Sequence, residues 1–212
     1  MAKFYQTIFR EAFAQKAAND TKLINAAFAE AKRDFDAGPK QELIKKFNED
    51  EVTQEIEKGI SAKNISETLP GINEKYGGNL FTFIGFPENS NPTQIVRDML
   101  KNDTQIKKIG RGARYKADRV RYEFDVETPS KEEIENVTPL PWENGRSWVR
   151  GIEKGISGLG NYLYSFTRIS SPENRSKHGS QREHSVRASS FKTRLYLTKI
   201  FNEFKALLAG TK

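Results

Sequence analysis

The sequence predicts an α+β fold in which N-terminal helices pack on a small, mainly antiparallel sheet, with long interaction loops and a C-terminal helix. Three observations support this fold class. Apolar residues recur at helical spacing through the first 60 residues and again near the C-terminus. Residues 113–127 alternate between apolar and charged side chains, as a half-buried strand does. Between these regions lie stretches rich in Gly, Pro and Ser, which favour loops.

The first quarter of the chain has the pattern of consecutive helices separated by capping residues. Ser, Thr, Asp and Asn are preferred at helix starts, whereas Gly is common just after helix ends. Proline is accepted at the first helical position because it needs no hydrogen-bond partner there. The predicted helices are residues 3–18, a second from the Asn19-Asp20-Thr21 cap to Gly38, a third from Pro39 through Phe47, and a fourth from Asp50 to Gly59.

The next part of the chain mixes loop, strand and helix signals. Residues 61–79 are expected to form an extended loop. Residues 80–86, Leu-Phe-Thr-Phe-Ile-Gly-Phe, form a β-prone aromatic run with apolar side chains on both faces, so we expect a strand covered on both sides. Asn91-Pro92 is a start signal for a helix over Thr93–Leu100.

Residues 113–127 are predicted to form one strand whose polar face is charged. Arg119, Arg121, Glu123 and Asp125 share that face, and we regard them as candidate interface residues. Around this strand the charge changes sign, from eight basic and two acidic residues in 101–122 to one basic and seven acidic residues in 123–143. Opposed charge blocks favour head-to-tail contacts between identical subunits, and they predict association that weakens with salt.

A short helix and a long loop follow. Ser130 and Glu133 have the spacing of a capping box, which predicts a helix to Val137, and Pro139 and Pro141 break it. Residues 142–185 are expected to be a loop that reaches neighbouring subunits. Its two tryptophans, Trp142 and Trp148, flank a glycine, and we weigh them as core side chains or as interface anchors.

The C-terminal segment carries the basic excess of the chain, with ten basic and three acidic residues from Arg168 onward. A helix from about Ser190 to Gly210 has an apolar stripe that includes Phe204, and we expect a neighbouring protein to cover it. Arg187, Lys192 and Arg194 are candidate contact residues in this arm. Basic residues next to aromatic side chains are also typical of nucleic-acid binding, so a nucleic-acid-binding module using this arm is the alternative function.

The chain is expected to divide into an α+β core domain over residues 1–160 and a basic loop with a helical arm over 161–212. Its 212 residues include no cysteine, which fits assembly in a reducing cytoplasm and leaves no thiolate chemistry. His178 and His184 lack a usual metal-ligand spacing. Because no nucleophile elbow or phosphate-binding loop is present either, we expect no enzymatic activity, catalytic residue, cofactor or metal. We also expect no membrane association.

Several short segments resemble virion proteins of tailed bacteriophages, in particular neck and tail-completion (tail terminator) subunits. Residues 52–59, Val-Thr-Gln-Glu-Ile-Glu-Lys-Gly, resemble a segment that follows the N-terminal helices of such proteins. Residues 64–69 with 78–86, and residues 146–149 with 152–159, are similar to segments of phage structural proteins. The long basic stretch after residue 160 departs from the compact tail-completion pattern.

This resemblance implies a structural protein located in the virion and assembled in the host cytoplasm. It implies a homo-oligomeric ring at the head–tail neck or the tail end, which joins the tail tube or sheath to the connector. Other neck and tail proteins would then be partners, and DNA contact through the basic arm is left open. The family supplies no catalytic residues to transfer.

Overall fold

The computed structural model describes residues 19–69, 78–109, 113–116, 119–141, 143–155 and 191–210. Its architecture is the predicted mixture of helices and small antiparallel sheets, with helices toward the N-terminus and a further helix near the C-terminus. The predicted helix 3–18 lies outside the described residues. Within the described ranges, no helix is long and apolar enough to cross a membrane.

The chain forms two compact units, and each combines two segments that are separate in the sequence. The first unit comprises residues 1–42 and 101–128, and the second comprises residues 43–100 and 129–212. The predicted division at residue 160 lies inside the second unit, which contains the C-terminal helix together with residues 43–100.

The first unit consists of a long helix and two nested β-hairpins. Helix α1 spans Thr21–Ala37, and the Asp20 carboxylate accepts a hydrogen bond from the Lys22 amide at 2.8 Å, which confirms the predicted N-cap. The strands are β1 (Gln105–Lys108), β2 (Ala113–Lys116), β3 (Arg119–Arg121) and β4 (Phe124–Glu127). Strand β1 pairs with β4 and β2 pairs with β3, both antiparallel, so the β2–β3 hairpin lies within the connection between β1 and β4.

The prediction of one strand over residues 113–127 is wrong, because this segment contains three. Two residues, 117 and 118, connect β2 to β3, and another short break separates β3 from β4. In the sequence, apolar and charged residues alternate without interruption over residues 119–127. The alternation therefore does not show that β3 pairs with β2 whereas β4 pairs with β1.

The remaining elements are helices α2 (Pro39–Glu49), α3 (Glu51–Glu57), α4 (Leu80–Ile84), α5 (Thr93–Asn102), α6 (Lys131–Val137), α7 (Trp148–Lys154) and α8 (Leu197–Gly210), a 3₁₀ turn at Gly59–Ser61, and strands β5 (Pro139–Leu140) and β6 (Glu143–Ser147). Helices α2, α3, α5 and α6 confirm the predictions from proline, N-cap and capping-box signals. The Asp50 carboxylate caps α3 through the Val52 amide at 2.9 Å. Residues 62–69 and 78–79 contain no helix or strand, as the loop prediction expects.

The strand predicted over residues 80–86 is a helix instead. The buried Asn79 side chain caps α4 by accepting the Thr82 amide at 3.0 Å, and it also donates to the carbonyls of Ile60 and Ala62 at 3.0 Å. Gly85 ends the helix in the left-handed region, at φ 84°. A short apolar run suits a buried strand and a buried helix equally, so these contacts at its ends decide between them.

The core of the second unit is strongly aromatic. The Trp148 and Tyr196 rings lie 6.3 Å apart, Tyr196 lies 6.1 Å from Phe47, and Trp148 meets Phe86 edge-on at 5.7 Å. The buried Tyr196 hydroxyl pairs with the Thr53 hydroxyl at 2.6 Å. Many of the aromatic side chains therefore pack within the unit, where edge and tilted ring contacts add to the free energy of burial.

Two predictions about the C-terminal half need correction. Within the predicted loop 142–185, residues 143–154 form β6 and α7, and residues 156–185 lie outside the described part of the chain. The C-terminal helix begins at Leu197 instead of near Ser190. Residues 191–196 contain no helix or strand, and there the Phe191 ring stacks on Phe83 at 5.4 Å and the Arg194 amide donates to the Ile152 carbonyl at 3.0 Å.

Candidate functional site

The first unit presents an apolar surface that is only partly covered. Helix α1 packs on the β1–β4 hairpin through Phe28 and Phe124, whose rings meet edge-on at 5.4 Å. The Lys108 ammonium lies 4.9 Å from the centre of the Phe28 ring and donates to the Asn25 side chain at 2.6 Å. These contacts fix the helix to the face of the hairpin that also carries Ile106 and Val126.

This packing leaves much of the apolar surface open to solvent. Within residues 19–42, 101–109 and 122–128 of the first unit, Phe35 and Ile106 are the only buried large apolar side chains. Leu23 is 45% exposed and Ile109 is 62% exposed. Leu23 is two residues before Asn25, and Ile109 directly follows Lys108. Because the Asn25 and Lys108 side chains are hydrogen-bonded, Leu23 and Ile109 lie near the same end of the contact between helix and hairpin. We call Leu23 and Ile109 the exposed apolar pair.

The opposite face of the β1–β4 hairpin is charged, with one basic and two acidic residues. Lys107 lies directly across from Asp125 and forms an ion pair with Glu127. All three side chains are exposed. The predicted interface residue Asp125 also accepts a hydrogen bond from the Val126 amide at 2.9 Å. Glu123, also predicted, is exposed just before β4.

Both strands of the β2–β3 hairpin carry basic residues. Lys116 lies across from Arg119, Arg114 across from Val120, and Ala113 across from Arg121, with an irregularity of the register between Arg114 and Lys116. The predicted interface residues Arg119 and Arg121 thus share a short hairpin with two further basic residues.

The acidic block of the sequence is divided between the two units, because residues 123–128 belong to the first unit and residues 129–143 to the second. In the second unit, Glu133 completes the predicted capping box by accepting the Ser130 amide at 2.7 Å. Hydrogen bonds from the Ser130 amide and hydroxyl lower the Glu133 pKa. Glu135 lies 3.9 Å from Arg150.

Two predicted interface residues are buried within the second unit. Trp148 is 1% exposed and begins α7, so its indole belongs to the core and not to a loop. Phe204 is 1% exposed, as part of an α8 stripe that the same unit covers. The expectation that a neighbouring protein covers this stripe is wrong. Trp142 and Arg187 lie outside the described residues.

Two residues of the predicted basic arm are attached to the second unit. The Arg194 guanidinium donates to the Ser66 carbonyl at 2.6 Å and forms an ion pair with Glu51. The Lys192 side chain is exposed, although its backbone amide donates to the Thr68 carbonyl at 2.8 Å. Arg194 therefore has a structural role, which the basic composition of the arm does not indicate.

Buried carboxylates are the functional groups that the sequence analysis missed. Glu55 is fully buried and accepts the Ser66 amide at 2.8 Å and the Leu80 amide at 2.7 Å, joining a loop and the start of α4 to α3. Glu55 falls on the same helical face as the apolar residues Val52 and Ile56, and this spacing is the sequence feature that could have indicated its burial.

Glu153 holds α7, α6 and the start of α8 together. Its carboxylate pairs with Lys131 and accepts the Thr198 amide at 2.7 Å. Burial raises the Glu153 pKa, but the hydrogen bonds from Lys131 and Thr198 outweigh burial and leave the pKa below its ordinary value.

The described residues contain no group of three or more His, Asp or Glu side chains that could hold a metal ion. Both histidines lie outside the described ranges. Comparison with known protein families, with curated proteins and with solved structures finds no match for the chain.

Proposed function

We propose that this chain is a non-enzymatic structural subunit of a tailed bacteriophage particle, of the neck or tail-completion type, and that it acts by assembling with copies of itself. The observation that carries the assembly part is the partly open apolar surface of the first unit. The phage part derives from the resemblance of residues 52–59, 64–69 with 78–86, and 146–159 to virion proteins.

The contrast between the two units supports an assembly role. The second unit buries many large apolar side chains, such as Trp148 and Phe47, although Ile60, Ile95 and Leu195 remain exposed. The first unit leaves Phe28, Phe124 and Val126 half-buried and the exposed apolar pair in solvent. Burying such a surface against another subunit is favourable by about 25 cal/mol for each Å² of apolar area removed from water.

The distribution of charge changes what drives the proposed association. Glu127 pairs with Lys107 in the same hairpin, and Glu135 lies 3.9 Å from Arg150 in its own unit, so part of the acidic block is compensated within its own unit. We expect contact through the apolar surface, with a weaker dependence of association on salt than two opposed charge blocks would give.

The test is the mass of the protein in solution, measured by analytical ultracentrifugation over a wide concentration range and at low and high salt. We expect a closed oligomer, with rings visible by negative-stain electron microscopy. The double variant Leu23→Gln/Ile109→Gln should dissociate it, since each substitution removes an apolar side chain from the proposed contact. A protein that stays monomeric throughout, with no rings, contradicts the proposal.

The chain supplies a closely matched control. Ile95 is 42% exposed on a helix and Leu195 is 62% exposed just before one, outside any helix or strand; they parallel Leu23 on α1 and Ile109 just after β1. Ile95→Gln/Leu195→Gln therefore removes similar apolar area from the second unit. If the control dissociates the oligomer as strongly as the first-unit variant, the assembly surface is not the one proposed.

A further inference from the structure

We propose that copies of this chain join edge to edge, with β1 of one copy pairing antiparallel with β4 of the next, so that the β1–β4 hairpin continues into a sheet shared between subunits. This inference rests on the proposed assembly function and names its mode of contact. Within the described residues, β1 pairs only with β4 and β4 only with β1, so each strand has an outer edge without a neighbouring strand. Such an edge presents backbone amides and carbonyls that can pair with another chain.

The hydrogen bond of the Val126 amide shows which residues direct their backbone groups to these edges. This amide donates to the Asp125 carboxylate at 2.9 Å, so it is directed away from β1. In an antiparallel ladder, pairs that exchange backbone hydrogen bonds alternate with pairs whose amides and carbonyls face outward. The pair Ile106–Val126 is thus of the outward type, and so is Lys108–Phe124, two positions along. The Asp125 side chain is exposed, so a carbonyl of an incoming strand can replace it as the acceptor.

The exposed face of the hairpin gives its two edges opposite charges. On this face β1 carries Lys107 and the uncharged Gln105, whereas β4 carries Asp125 and Glu127. Lys107 and Glu127 pair within the hairpin but stay 54% and 51% exposed, so both remain accessible to a neighbour. Pairing of two β1 edges would bring lysines together, and pairing of two β4 edges would bring carboxylates together, which is destabilising. Pairing of β1 with a neighbour's β4 instead places Lys107 between two acidic strands.

The helix-facing side of the same strands supplies apolar contact. Phe124 and Val126 of β4 are half-buried on this side, and Ile109 of the exposed apolar pair directly follows β1. A neighbour's β4 added to β1 brings its own apolar side chains next to Ile106 and near the exposed apolar pair. It thereby removes from water the surface through which we expect the copies to associate.

Contact between two different edges determines the type of assembly. Each copy offers one β1 edge and one β4 edge, so the contact repeats from copy to copy and either closes as a ring or continues as a filament. Contact between two like edges would stop at a dimer. The charges of the edges therefore favour the ring type of assembly.

The test is sedimentation velocity of the full chain at low salt, with two charge variants measured alone and mixed. Lys107→Glu makes both edges acidic, and Asp125→Lys/Glu127→Lys makes both edges basic. Each variant alone should need an about tenfold higher concentration than wild type to assemble, because β1 and β4 then repel each other. An equimolar mixture should assemble as wild type does, since each edge then finds an edge of opposite charge.

Three controls separate edge pairing from other effects of these substitutions. The triple variant, which combines all three substitutions, keeps opposite charges within the hairpin and should assemble by itself. Lys32→Glu is matched to Lys107→Glu, because Lys32 is 52% exposed and pairs with Asp36 on α1. Glu88→Lys/Asp98→Lys reverses two exposed carboxylates of the second unit. Both of these control variants should assemble as wild type does.

The outcomes distinguish this inference from the assembly function on which it rests. Wild-type assembly by either edge variant alone overturns the edge pairing, and so does a mixture that assembles no better than its components, or an equal loss in the matched controls. A wild type that stays monomeric contradicts the proposed function itself. Edge variants that assemble normally, while Leu23→Gln/Ile109→Gln dissociates, leave that function standing and overturn only the edge pairing.

Discussion

Arg194 provides a way to separate a structural role from a nucleic-acid-binding role in the C-terminal segment. Its guanidinium donates to the Ser66 carbonyl at 2.6 Å and pairs with Glu51, with 28% and 52% of the two side chains exposed. Replacing it by glutamine keeps a polar side chain but removes the charge and shortens the reach. We expect this change to destabilise the second unit while leaving DNA affinity almost unchanged.

The magnitude follows from the two contacts. A hydrogen bond from a charged donor contributes about 1.5–3 kcal/mol, and the lower end applies here because Arg194 is partly exposed. An exposed ion pair adds about 0–1 kcal/mol. The expected loss is therefore about 2 kcal/mol, which corresponds to a roughly 30-fold change in the folding equilibrium constant.

The assay is urea unfolding followed by tryptophan fluorescence, which reports on the second unit because both tryptophans belong to it. Lys192→Gln is the control. It removes the same charge two residues earlier from an exposed side chain, and its backbone hydrogen bond to Thr68 remains. We expect a change within about 0.5 kcal/mol for the control.

Two results would refute this reasoning. If Arg194→Gln is as stable as Lys192→Gln, the contacts with Ser66 and Glu51 do not hold the segment. If both variants lose DNA affinity, each by about eightfold at about 0.1 M salt, the C-terminal arm binds nucleic acid as the alternative function requires.

Two further predictions concern the second unit. Glu55→Gln should cost about 2–4 kcal/mol, because the amide oxygen of glutamine cannot replace both carboxylate oxygens, which accept from the Ser66 and Leu80 amides. Urea unfolding measures this loss, with the exposed Glu88→Gln as control, and equal stability of the two variants would contradict it. Because the Glu153 pKa is lowered from 4.5, its contribution is complete above that value and is lost as the pH falls through the lower folded-state pKa; Glu153→Gln should therefore flatten the acid limb of a stability–pH curve, and an unchanged limb would contradict the assignment.

The sequence by itself determined most helix boundaries, because capping is a local interaction. Asp20, Asp50, and Ser130 with Glu133 each bond to amides within three residues of themselves, so their spacing is enough to place the helix starts. The mixed helix-and-strand class follows from the same short-range patterns. The division of residues 113–127 into three strands does not follow from these patterns, because strand pairing depends on residues distant in sequence.

Tertiary contacts alone decided the conformation of residues 80–84 and the placement of the candidate site residues. Residues 80–84 are helical because Asn79 and Glu55, which are 24 positions apart in the numbering, fix the start of the segment. Trp148 is a core residue and Arg194 a structural one because side chains from other elements surround or accept from them. Composition predicts that a side chain can bind a partner, but only the packed structure determines whether that partner lies within the same unit.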